Sequence, residues 1–505
     1  MRDIIKSKSG NFSKIHNLEV FYFMLERIPA KKNGCRRSLG GARHVLASVS
    51  RSAGKMDGYH RDFIGLLADD GVEIADAGMV DSTDAGNRAA ELFSAAGVSL
   101  VFCNMITYAT SSVFAPVLCS VHAPIVLTAL QPRSAMDYRN ATTFMQLEND
   151  NICSVPEFCG VAAKLGRRIE DVIIGRLYGD EKAKEEISQW CAIARALCKL
   201  KGARIGLMGH VLEAMYDMHT DPTLVFGSFG VHVPLLEIDD LITRYHAVTE
   251  EETQEQIRII REEFDMPEPK NDPVTMKLSE ADLYESARCA AALERLRTDF
   301  HLDGLAYFYS GAEGSEARRI ASSLIVGNSM LIARGVPMCG EYDLKTCIAM
   351  MIMDTIGIGG SFAELHPFDF DGNCILVGHD GPHHIQLADG RPILRSLKKY
   401  HGKDGSGASV EFNLRTGPFT MLGINQDEHG KFRFLIGEGV SNKGEIPATG
   451  NTNTRASFEP DTVRFVREWC MAGPTHHFAL GTGRYASTLK KLAGALGLEA
   501  RIIGK

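Results

Sequence analysis

The chain carries no C-x-x-C pair among its twelve cysteines, which are scattered, several of them in apolar stretches such as Val101-Phe102-Cys103. Thiols without paired spacing point to a reducing compartment, with the cytoplasm as the default. No apolar run reaches the roughly 18 residues needed to cross a bilayer. The run Leu18 to Leu25 is interrupted by Glu19 and lacks a clean cleavage site, so no signal peptide is expected. Positive charge is also short: a net charge of −8 leaves no basic field for nucleic acid and no polybasic patch for a membrane. Gly357-Ile358-Gly359-Gly360 does not continue as G-x-G-x-x-G from a strand into a helix, so no nicotinamide cofactor is indicated. Internal repeats and low-complexity segments are absent from the sequence.

What is present is a globular composition, 45% hydrophobic and 23% charged, which argues against long disorder. At 505 residues the chain exceeds what one core supports, and about three domains are expected. Residues 1–60 are the least readable part, and the basic patch Lys31 to Arg43 reads as an exposed loop. Apolar runs fit for buried parallel strands, Gly97 to Cys103 and Ala123 to Thr128, alternate with helical stretches Asp84 to Ala96 and Tyr108 to Ser120. The alternation restarts after Gly179 with a helix Lys182 to Leu200 and strands Gly202 to Gly209 and Val231 to Leu236. Helices Glu250 to Phe264 and Glu280 to Phe300, on either side of a turn Met266 to Pro273, precede a strand Gly304 to Phe308. After Gly357 short β-type runs dominate, Asn373 to Val377, Phe419 to Gly423 and Phe432 to Ile436, closed by a helix Tyr485 to Leu496. The expected architecture is α/β: two doubly wound, Rossmann-like α/β domains, 1–178 and 179–356, then a β-rich domain 357–505.

Four segments of the last third place carboxylates and imidazoles beside glycines: Cys339-Gly340-Glu341-Tyr342-Asp343, Ser361-Phe362-Ala363-Glu364-Leu365-His366, Val377-Gly378-His379-Asp380-Gly381-Pro382 and Gly473-Pro474-Thr475-His476-His477. Mixed oxygen and imidazole donors suit Mn, Fe, Co or Zn better than Ca or Mg. The spacings match no short helical motif such as H-E-x-x-H, and His476 and His477 are not distinguished by their chemistry. Glu341 falls at the start of a helix Lys345 to Asp354, Glu364 just after a glycine turn and His379 at a strand end. Taken singly, each glutamate reads more simply as a solvated or salt-bridged carboxylate and His379 as a hydrogen-bonded loop histidine. His383 and His384 follow a Gly-Pro turn near the site, Gly311 to Gly314 reads as a strand-to-helix turn, and Lys398 to Lys403 as a solvated loop.

The four segments resemble the L-arabinose isomerase family and, more loosely, the wider L-fucose and L-arabinose isomerase superfamily. Gly340-Glu341-Tyr342-Asp343-Leu344-Lys345-Thr346 is similar to the family's Gly-Glu-Gly-Asp-Trp-Lys-Thr, and Gly359-Gly360-Ser361-Phe362-Ala363-Glu364 to its Gly-Gly-Thr-Ser-Phe-Met-Glu. Gly372-Asn373 with Val377-Gly378-His379 resembles its Gly-Asn and Leu-Gly-Ser-His, and Gly473 to His477 its Gly-Gly-Ala-His-His, where the second histidine corresponds to the ligand. The likeness covers most of residues 300–480 and the earlier parts in outline. It implies three domains, a homo-oligomer and a divalent metal such as Mn bound by Glu341, Glu364, His379 and His477, with the two glutamates as proton-transfer groups. Tyr342 and Leu344 stand where the family has Gly and Trp, and Leu365-His366-Pro367-Phe368 where it has Asp-Tyr-Thr-Tyr. These neighbours are expected to face the sugar. The family's amino-terminal segment, which helps form a neighbouring subunit's pocket, has no recognisable counterpart in residues 1–60.

The implied activity is interconversion of an aldose and a ketose, a pentose or deoxyhexose resembling L-arabinose or L-fucose, through an enediol. That chemistry removes a proton from one carbon, holds the resulting negative charge and returns a proton to the neighbouring carbon, which one metal and two carboxylates could do. The same donors would serve a metallohydrolase, and a sugar-binding protein without turnover could share the α/β domains.

Overall fold

The computed structural model describes residues 36–40, 53–68, 71–268, 277–397, 399–400, 403–404, 406–447 and 453–504. The run Leu18 to Leu25 and most of the turn Met266 to Pro273 lie outside them. The first sheet is built on Leu100–Asn104, buried at every residue, and Ile125–Gln131, buried at all but its last. Continuous apolar runs of this kind belong to parallel strands covered on both faces. The strands pair in parallel in the order Glu73–Ile74, Arg36–Gly40, Leu100–Asn104, Ile125–Gln131, Asp171–Arg176. The basic patch expected as an exposed loop therefore contains a strand with partners on both sides. Its five residues, Arg-Arg-Ser-Leu-Gly, hold too little apolar alternation to signal a strand, whereas ladder bonds are made by backbone. The expected helix Tyr108 to Ser120 is shorter, Ala115–Ser120 after a turn at Ser111–Val113, with Pro116 in its first turn.

A second parallel sheet runs Leu235–Leu236, Ile205–Met208, Gly304–Tyr307, Met338–Cys339. The expected strand Val231 to Leu236 pairs continuously only at its end, with a single bridge at His232, because Pro234 has no N–H to donate. The helix Glu280–Phe300 begins at a reciprocal cap, Ser279 with Asp282. Helix Leu344–Thr355 is buried from Leu344 to Asp354, the all-round burial of a central helix. It packs on the second sheet, on helix Glu181–Leu200 and on the β-rich region.

That region is a barrel. Gly417–Gln426, Phe478–Thr482, Ser361–Asp369, Cys374–Gly378, Thr454–Ser457 and Phe432–Asn442 pair antiparallel in that order, and the last returns to the first. Glu499–Ile502 adds to Phe432–Asn442 in parallel. Helix Glu181–Leu200 touches the first sheet, the central helix and the carboxyl-terminal helix Ala486–Ala495. One hydrophobic core thus runs from Phe102 through Trp190 and Tyr307 to Met350 and Phe434. Lys399–Tyr400 and Lys403–Asp404 pair as a short ladder in place of the expected loop, and Lys398, His401 and Gly402 lie outside the described residues.

Candidate metal centre and active site

The site forms where the carboxyl ends of the second sheet meet one rim of the barrel. Met338–Cys339 ends at Gly340, and the next two residues, Glu341 and Tyr342, have φ of 57° and 64°. An L-residue in this left-handed region costs about 1–2 kcal/mol, so surrounding bonds must hold it. Tyr342 N–H donates to the Tyr307 carbonyl at 2.9 Å, and Asp343 caps the central helix by accepting from Thr346 N–H at 3.0 Å. Glu364 lies within Ser361–Asp369, opposite Gly378, while Ala363 is opposite Phe478. Three adjacent strands therefore deliver Glu364, His379 and His477 to the same rim.

The donor atoms converge. His379 Nε2 and His477 Nε2 are 3.2 Å apart, and Glu341 lies 3.9 Å from His379 Nε2 and 3.6 Å from His477 Nε2. Glu341, His379 and His477 form one cluster able to hold a metal ion, and Glu364, His476 and His477 a second, with donors within 4.8 Å of one another in each. All four ligand candidates are thus brought together around His477. Phe362 packs under both imidazoles, 4.2 Å from the His379 ring and 4.4 Å from that of His477.

Hydrogen bonds decide which nitrogens face inward. His477 Nδ1 donates to Asp343 Oδ2 at 3.1 Å, which leaves Nε2 with its lone pair, the arrangement that carboxylate partners impose on metal-binding histidines. His379 Nδ1 accepts from Gly381 N–H at 2.8 Å, so neutral His379 carries its proton on Nε2 and donates it to His477. Glu341 Oε2 is buried without a hydrogen-bond partner.

Electrostatics follow from burial and these pairings. Burial raises the Glu364 carboxyl above its ordinary value, and nearby Glu341 adds to this against the pull of His477 and His476. Burial drives His379 well below the usual histidine range, reinforced by His477. For His477 burial acts downward, but the Asp343 bond and charge outweigh it and raise the imidazole. Burial likewise pushes Asp343 up, yet His477, Lys345 and the Thr346 N–H bring it down to about 2.

A cavity of about 280 Å³ opens on the cluster, lined by Glu341, Glu364, His379 and His476 with Met215, Tyr309, Ser310, Arg318, Ser322 and Asp380 among others. Tyr342, Leu344, Leu365 and His366 are not among the residues lining it, although His366 Nε2 lies 3.7 Å from Glu364 Oε1. Leu344 is in the core and Tyr342 packs against it. His383 and His384 are buried behind the rim, one against Phe412 and the other 3.2 Å from Asp354. Asp217, Phe362 and Arg318 were not singled out by sequence. Of these, Phe362 carried a signal, in the Ser-Phe pair of its segment.

No family model matches the chain. It is 23% identical over 410 residues to L-arabinose isomerase 1 of Bacillus licheniformis, a match spanning 79% of this chain and 80% of that protein. L-arabinose isomerases of Bacillus subtilis, at 22% over 348 residues, and Thermotoga maritima, at 23% over 341, each match over 66% of both chains. At 21–24% identity across several such proteins, the chain is similar to L-arabinose isomerases over most of its length.

Proposed function

We propose that this protein is a metal-dependent aldose–ketose isomerase acting on a pentose or deoxyhexose through an enediol. The observation that carries the reading is the meeting of Glu341, Glu364, His379 and His477, from four separate segments, in two donor clusters that share His477; Glu341, Glu364 and His379 line a single cavity and His477 lies buried behind them. The donor set fits a divalent ion. Donors about 2.1 Å from a shared centre at near-right angles lie roughly 3.0–3.4 Å apart, and the two Nε2 atoms are 3.2 Å apart. The unpartnered Glu341 Oε2 gains a partner, and His477 already presents a lone pair. For Nε2 of neutral His379 to ligate, its proton must shift to Nδ1, in exchange for the bond that Nδ1 accepts from Gly381 N–H.

When bound, an ion such as Mn supplies Lewis-acid stabilisation of the negative charge that develops on adjacent sugar oxygens. Glu364, whose acidity is weakened by burial, suits a group that takes a proton from one carbon and returns it to the next; Glu341 is the second candidate. Such transfer is worth about 100- to 10,000-fold. Tyr309, Ser310, Arg318 and Ser322 offer hydrogen bonds to hydroxyls, and Phe362 keeps water from beneath the imidazoles. The reading includes a homo-oligomer in the cytoplasm and a division of the chain into 1–178, 179–356 and 357–505, the last carrying most of the ligands. The test is to strip the purified protein with chelator, reload it with Mn and assay a panel of aldoses for ketose. Ketose from a pentose or deoxyhexose is expected; none from any aldose sinks the proposal.

A further inference from the structure

We propose that Asp217 is a positioning residue that orients His476 as a hydrogen-bond acceptor for a sugar hydroxyl, which rests on the reading that the cavity takes an aldose or ketose. Asp217 lies in the loop after strand Ile205–Met208, in the helical turn Tyr216–Met218. The loop is clamped from the site itself: Lys345, buried and four residues after Glu341, donates from Nζ to the carbonyls of Asp217 at 2.8 Å and His219 at 3.4 Å. Met215 of the same loop lines the cavity.

The Asp217 carboxylate then reaches across to the barrel. Its Oδ2 accepts from His476 N–H at 3.0 Å and from His476 Nδ1 at 2.6 Å. A carboxylate on Nδ1 holds the ring proton there and leaves Nε2 bare. That nitrogen lies 3.9 Å from Glu341 Oε2, and its ring lines the cavity and packs on His477 with centroids 3.9 Å apart. A bare imidazole nitrogen facing a cavity accepts from an O–H donor, and a sugar presents one at most of its carbons. The two bonds to one oxygen fix both the backbone and the ring, so Asp217 sets the direction of the acceptor without touching substrate.

The test uses the full chain, metal-loaded, with Asp217→Ala, Asp217→Asn, His476→Gln and the double variant Asp217→Ala/His476→Gln. A bond made in both ground and transition states appears in KM. Asp217→Ala is therefore expected to raise KM by about 10- to 100-fold with kcat and metal content little changed, and Asp217→Asn, which keeps an acceptor oxygen, by less. In the His476→Gln background Asp217→Ala should add almost nothing, because the two act as one unit. Independent, multiplicative losses in the double variant, or an unchanged KM in Asp217→Ala, would overturn the inference. Nitrogen-15 spectra of histidine-labelled apoprotein, with the His476 signal assigned from His476→Gln, give a readout without turnover. The Nδ1-protonated tautomer is expected, and loss of its dominance in Asp217→Ala; an Nε2-protonated ring in the unaltered protein overturns it. If no aldose is converted, the proposed reaction fails and the tautomer measurement decides the role of Asp217.

Discussion

Replacing Asp343 by Asn separates the charge of the carboxylate beneath the site from its shape. Asn is as good a helix cap as Asp, so the bond to Thr346 N–H can persist. What is lost is a buried anion that also accepts from Thr346 Oγ1 at 2.7 Å and from His477 Nδ1 at 3.1 Å. Its acid is held at about 2 against an ordinary 3.8, which corresponds to about 2 kcal/mol of folding stability. Because the folded value is the lower one, that contribution is present above 3.8 and lost as pH falls toward 2. His477 is raised from 6.5 by the same carboxylate, so its share is present below 6.5 and lost as pH rises through the folded value. The stability gap between the unaltered protein and Asp343→Asn should be widest between these two ordinary values and narrow on either side. For a cooperative unit of this length about 2 kcal/mol moves the midpoint by roughly 2 °C, and more for a smaller unit. Scanning calorimetry of chelator-treated protein from pH 7.5 to pH 3 measures it. Manganese affinity in the same variant should fall about 10- to 100-fold. A midpoint gap that is absent, or equal at every pH, would refute the linkage of Asp343 to His477.

Glu341→Gln and Glu364→Gln should each abolish ketose formation, by about 100-fold or more; full activity in both would mean the proton-transfer groups lie elsewhere. His477→Ala should lose metal on gel filtration while staying folded by circular dichroism, and retention of stoichiometric metal counts against it as a ligand. Gly360→Ala would place a Cβ 2.6 Å from the Met350 carbonyl and 2.9 Å from its Cα. Since that backbone belongs to the buried central helix and cannot yield, a loss of about 1–3 kcal/mol is expected, and an unchanged melting midpoint would contradict the packing described.

The periodic elements were legible. The helix Glu280–Phe300 is expected and found over the same residues, and the ends of Glu250–Glu263 and Ala486–Ala495 differ from expectation by a residue, because caps and amphipathic spacing are local signals. Barrel closure was not legible. Ser361–Asp369 pairs with Cys374–Gly378, a near neighbour, but also with Phe478–Thr482, more than a hundred residues on, and no local pattern encodes that choice. The grouping of Glu341, Glu364, His379 and His477 came through motif likeness; their carboxylate partners did not. Asp343 stands inside a motif segment without any role read from it, and Asp217 acts from 259 residues away, on a loop whose sequence carries no donor pattern of its own.

The departure at Tyr342 shows why a motif difference beside a site need not alter what the site reads. Where the family has Gly, this chain puts a tyrosine at φ 64°, at a backbone cost of about 1–2 kcal/mol. The half-buried ring packs against the main core, and fully burying a large apolar side chain contributes about 1.5–3 kcal/mol, so partial burial offsets much of the strain. Glycine and tyrosine can then exchange with little net effect while Glu341 keeps its direction, because the Tyr342 N–H is held by Tyr307 and Asp343 by the helix it caps. The tyrosine side chain leaves the cavity wall untouched. If the proposed isomerase reading holds, the residues placed to contact a sugar include Tyr309, Ser310, Arg318, Ser322 and Asp380 of the cavity lining, and of these five only Asp380 lies within the four motif segments.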